Sequence, residues 1–311
     1  MIFRKSGLMA AAAITLLAVM TTGFLWAARR IKTARNPDSS VALNTKDLRN
    51  LGISLIGSNE PSFDSLMASV VPNEARENVE ALRSVSVFLT NDTDHSVIAY
   101  SVKWEMVTGD GKLKTETREY LAPNALMGRS TVDLIGVIQP HSTRLVSLAP
   151  LVEAAKHPGV GGGAGPGTRG DSALQHYVDA LRARNAQDSK ITISLDSVLF
   201  DDGRFAGPDT RERFGKIQAI IQAKQDLLTE FEHTAESSKS LQIAFDNLTT
   251  VASGTKRELS SNATTEDYFG FYKQSTAREM LSLRSAFGED EAAKRIHGVL
   301  HHEWPILRKA N

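Results

Sequence analysis

His297 and His301 stand four residues apart, the spacing that places two side chains on one face of a helix, and His302 and Glu303 follow directly. Two imidazoles so placed can chelate a zinc-class cation, and a metal-dependent hydrolase is the chemistry that would follow. The residue after His297 is Gly298, so the Glu of the His-Glu-x-x-His protease motif is missing, and no third ligand stands at a fixed distance. Histidines near a helix C-terminus, where the macrodipole favours their charged form, account for the same pattern without an ion. His297 and His301 are therefore candidate metal ligands and nothing more.

Other chemistry is thinner still. Asp201 and Asp202 form an adjacent carboxylate pair, but Gly203 behind them makes this a hairpin turn. Gly165-x-Gly167-x-x-Gly170 spells a dinucleotide fingerprint, and Ala173, Leu174, Tyr177, Val178 and Leu181 continue it with a helical pattern. That fingerprint needs a strand running straight into the turn. Pro150, Pro158 and Pro166 interrupt this one, so residues 159–170 read as a surface loop. No Gly-x-Ser-x-Gly elbow presents a nucleophile, and Arg169-Gly170-Asp171 is chance. The sequence yields no catalytic residue and no cofactor, and it reads as a non-enzyme.

The elements that would position any site begin with a β region. Val85, Val87 and Leu89 alternate through 84–90, and after Asn91-Asp92-Thr93-Asp94 the residues Ile98, Tyr100, Val102, Trp104 and Met106 alternate again. Gly109-Asp110-Gly111 closes a hairpin, with 112–120 as the return strand. Further strands are expected at 131–138, 143–148 and 191–200. Several short strands separated by turn signals predict an antiparallel β-sandwich, with Trp104 as its core anchor.

Here the chain resembles a family. Val97-Ile98-Ala99-Tyr100 leading to Trp104 and Gly109-Asp110-Gly111-Lys112, together with Phe200-Asp201-Asp202-Gly203-Arg204-Phe205 and the closing Gly207-Pro208, is similar to uncharacterised bacterial exported proteins with immunoglobulin-like sandwiches. The resemblance covers roughly residues 84–230; His141 departs from it by following Pro140 where a Pro-Gly turn is usual. It implies an envelope location and an immunoglobulin-like fold, and it brings no catalytic residues.

After Pro208 the period changes. Asp209 or Thr210 can cap a helix whose stripe is Phe214, Ile217, Ile221, Leu228 and Phe231. A second helix is expected at 238–253 and two more at 265–287 and 290–302, with Gly254 and Gly288 as breaks and Pro305 as the stop.

The N-terminus offers a membrane instead of a reaction. Arg4 and Lys5 precede about 22 uncharged residues, 7–28, and Arg29, Arg30 and Lys32 follow. At roughly 1.5 Å per residue this stretch matches a hydrocarbon core of about 30 Å. It predicts a retained single-pass anchor in the inner membrane with the globular part periplasmic; the basic flank at Arg29 and Arg30 leaves a cytoplasmic orientation open, and cleavage of a signal is the other alternative. The 36 basic residues balance the 36 acidic ones, which removes the electrostatic case for a nucleic-acid partner. The lack of cysteine excludes disulfides, Cys-ligated zinc, a thiol nucleophile and a lipidated N-terminal Cys.

The expected organisation is α+β: a transmembrane helix within 1–30, a tether and first edge element at 31–78, an immunoglobulin-like sandwich at 79–207 with an inserted helix near 157–187, and a helical region at 208–311. The expected function is a membrane-tethered, non-catalytic interaction or structural module of the bacterial cell envelope, with a protein partner and no small-molecule substrate. A metal-dependent hydrolase using His297 and His301 is the alternative.

Overall fold

Period-two alternation forms strands whose apolar face is covered by the core. β4 (Val97–Thr108) and β7 (Asp188–Phe200) are the longest strands and pair antiparallel at the middle of the larger sheet. The computed structural model describes residues 42–122, 137–149, 169–255, 259–260, 262–301 and 304–310. β5 (Leu113–Leu121) flanks β4 at one end of the sheet. At the other end β8 (Arg204–Ala206) pairs with β7, and β9 (Arg308–Lys309) adds to β8 in parallel. β1 (Ala42–Lys46) also pairs with β7.

A second, three-stranded antiparallel sheet has the order β2 (Ile53–Gly57), β3 (Ser86–Asn91), β6 (Ser142–Ser147). Trp104 links the two sheets: it is fully buried and its indole N–H donates to the Val85 carbonyl just before β3, at 3.0 Å. Burying the ring with its one polar atom satisfied avoids the cost of an orphaned donor.

Between β2 and β3 the chain forms α1 (Ser62–Val70) and α2 (Asn73–Ala81), helices not expected in the tether and first edge element assigned to 31–78. α1 buries Phe63 against Phe88 of β3, with ring centroids 5.0 Å apart. Nine-residue helices carrying two buried side chains apiece leave too short a stripe to read as a period. α3 (Arg169–Asn185) precedes β7 and packs beside α2, and it buries Val178 and Leu181.

The helical layer consists of α4 (Arg213–Ser238), α5 (Leu241–Ser253), α6 (Thr265–Phe287) and α7 (Glu289–Leu300). Asp209 caps α4, its Oδ1 accepting from the amides of Arg213 at 2.6 Å and Phe214 at 3.3 Å. Thr264 and Asp267 form a reciprocal capping box on α6. α4 belongs to two cores. Its first half sets Ile217, Ile220 and Ile221 on Ile98, Ala99, Leu199 and Phe205 of the sheet, and its second half sets Leu227, Leu228 and Phe231 among Phe245, Leu248, Met280 and Ile296 of the other helices.

The transmembrane expectation is corrected. Among the described residues no helix is long and apolar enough to cross a membrane, and residues 7–28 lie outside them. α4 has 26 residues and α6 has 23, enough by length, but acidic and basic residues interrupt both apolar stripes. The class shown is α+β, sheets with helices, and among the described residues no helix able to span a membrane. It also departs from a purely antiparallel sandwich, through the parallel β8–β9 pair and the two helices between β2 and β3. Most of the strand expected at 131–138 lies outside the described residues; its last residue, Ile138, bridges to Val97.

Candidate functional site

α7 turns its apolar face, Ala292 and Ile296, into the helical core beside Phe231 of α4. That packing brings the next residue of α4, Glu232, opposite the last turn of α7. His297 Nδ1 lies 2.5 Å and His301 Nε2 3.2 Å from the same Glu232 Oε1, and the two imidazole centroids are 4.2 Å apart. One ligand atom from each of the three lies within 4.8 Å of the other two. The His297 and His301 side chains are 63% and 58% exposed and Glu232 26%, so the cluster opens to solvent. Burial pushes the Glu232 carboxyl up, and hydrogen bonds and charge from both histidines outweigh it, leaving the group below the ordinary carboxylate range. Structure thus joins the two histidines expected from the sequence and supplies a third residue that the sequence did not single out. Glu232 stands 65 residues before His297, and Glu230 and Glu236 on the same helix offer no less to a reader of the sequence.

His95, Asp201 and Asp202 form a second cluster, between the β3–β4 and β7–β8 connections. His95 Nδ1 is 3.1 Å from Asp201 and its Nε2 3.5 Å from Asp202. These carboxylates are already engaged: Asp201 accepts from the Ser96 amide at 3.1 Å, and Asp202 accepts from the Arg204 amide at 3.0 Å and its Nε at 2.6 Å. They tie two turns together, as adjacent hairpin aspartates ordinarily do. Most of the Gly-rich stretch lies outside the described residues, which resume at Arg169 with α3.

The third feature is main chain. Ala122 donates to the Ile98 carbonyl at 2.9 Å and Thr108 to the Lys112 carbonyl at 3.0 Å, and the register between them is unbroken. Antiparallel pairs alternate between bonded and non-bonded, so the even-numbered residues of β5 bond to β4. Leu113, Thr115, Thr117, Glu119 and Leu121 therefore point their N–H and C=O groups away from β4, and no strand pairs with them among the described residues. Edge strands are commonly protected by charge. Here the charges are spent inside the protein: Lys114 faces Asp188 at 3.7 Å, Glu116 meets Arg184 at 2.6 Å, Arg118 donates to the Leu148 carbonyl, and Glu119 pairs with Arg213 and Arg211.

Compared with protein-family models, curated proteins and solved structures, the chain matches none of them.

Proposed function

We propose that this chain is a non-catalytic interaction module that takes an extended segment of a protein partner along β5. The observation that carries the reading is the outer edge of this nine-residue strand, with which no strand pairs among the described residues. An extended segment added there would gain main-chain hydrogen bonds at five alternate residues, and pockets between side chains would set the choice of partner. The contrast with the other end of the sheet supports it. There the chain covers its own edge, because β9 lies on β8 with the Arg308 amide donating to Gly203 and that of Ala310 to Phe205, at 2.9 and 2.7 Å.

Thr117→Pro tests the reading. It removes one outward N–H, and proline is tolerated on edge strands where that N–H faces solvent. Crosslinking in intact cells is expected to capture a reproducible partner with the wild-type chain and at least tenfold less with the variant, while thermal melts of the two agree within a few degrees. Equal capture by both chains, or no reproducible partner of the wild type, contradicts the proposal.

A further inference from the structure

We infer that Glu232, His297 and His301 form a binding site for a zinc-class divalent ion, which fastens the end of α7 to α4. The donor set is two imidazole nitrogens and one carboxylate oxygen, the borderline chemistry that favours zinc and its first-row neighbours over magnesium or calcium. The rings present different atoms, Nδ1 from His297 and Nε2 from His301, and both converge on Glu232 Oε1. Either ring nitrogen can bind a metal, so this arrangement turns one donor from each ring and one from the carboxylate toward a common point.

One donor from each residue lies within 4.8 Å of the other two, a spacing that a single ion can draw together. Donors on one tetrahedral ion with bonds of about 2.0–2.2 Å lie roughly 3.4 Å from each other. The His301–Glu232 separation of 3.2 Å already fits, and the His297–Glu232 separation of 2.5 Å needs to open by about 1 Å as the ion replaces the ring proton. Both helices are fixed behind the site by buried Phe231 and Ile296, so the donors stand on rigid elements. The exposed side leaves a fourth position for water. The second cluster, at His95, is a poorer donor set because Arg204 and the Ser96 amide occupy its carboxylates.

Equilibrium dialysis of the full chain against zinc chloride, with metal analysis, tests the site. About one zinc per chain is expected, with at least a tenfold loss of affinity in Glu232→Gln and in His297→Ala/His301→Ala. The His95→Ala chain should bind as the wild type does, and magnesium should not compete. Cobalt loading of the wild type should give the visible absorption of a tetrahedral centre, lost in both site variants. Circular dichroism separates loss of binding from loss of fold, since these exposed side chains should not be needed for helicity. A folded wild type that binds no zinc, or a double variant that binds it unchanged, overturns the inference.

Discussion

Asp188 is the residue at which the molecule works against itself. Its side chain is fully buried, Lys114 stands 3.7 Å away, and neither carboxylate oxygen has a hydrogen bond. Burial raises its pKa, and the charges of Lys114 and Arg184 only partly offset that. A folded-state pKa above the unfolded one means that folding disfavours the ionised form. The penalty is in force above the ordinary carboxylate range and vanishes on acidification below it. Asp188→Asn should therefore raise the Tm at pH 7 by about 2–4 °C, an effect on the order of 1 kcal/mol, and the gain should shrink toward zero near pH 3. Melts of both chains across that range check it; a gain independent of pH would mean that the charge is not the cause. Asp188 also shows what one residue in a sequence conceals. It lies at the start of a strand that reads well by alternation, and nothing in its neighbours signals that its carboxylate is buried. The same holds for Glu232: the spacing of His297 and His301 is a local fact, visible at once, whereas their meeting with Glu232 depends on how α7 packs on α4.

At the scale of elements, legibility followed length and period. β3, β4, β5 and β7 fall on alternating runs, and α4 to α7 fall on stripes bounded by Ser240, Gly254, Thr264 and Gly288. α1 and α2 were not legible, because a helix of two and a half turns shows too few apolar repeats to separate it from a loop. β9 was not legible either, since two residues carry no pattern and its place is fixed by tertiary contact. Gly203 is the residue that permits that contact. Its φ is +84°, and a Cβ there would fall 2.3 Å from the Ile306 carbonyl oxygen. Gly203→Ala should cost about 1–2 kcal/mol in backbone strain alone, and the clash should lift the C-terminal strand from β8. Faster hydrogen exchange at the Arg308 and Ala310 amides, with β4 and β7 unchanged, is the expected result; unchanged exchange at those two amides would show that the strand holds by other means.

Across the whole molecule, α4 ties the larger sheet to the helical layer, and the sheet ends differently on its two sides. One end finishes on β9, two residues of the chain's own C-terminal segment, and the other on the nine-residue β5, whose outer side no described strand pairs. The sequence offered the strands but not their order, so which edge stays open could be learned only from the pairing. The apolar run at 7–28 lies outside the described residues. Whether the outer edge of β5 is free of a partner is read directly by residue-resolved amide hydrogen exchange over the larger sheet. An unpaired β5 edge predicts that Lys114, Glu116, Arg118 and Tyr120 are protected while Thr115, Thr117 and Glu119 exchange quickly, and that Arg308 and Ala310 at the opposite end are slow. Protection of Thr115, Thr117 and Glu119 comparable to that of their even-numbered neighbours would contradict it, because the edge would then already be covered.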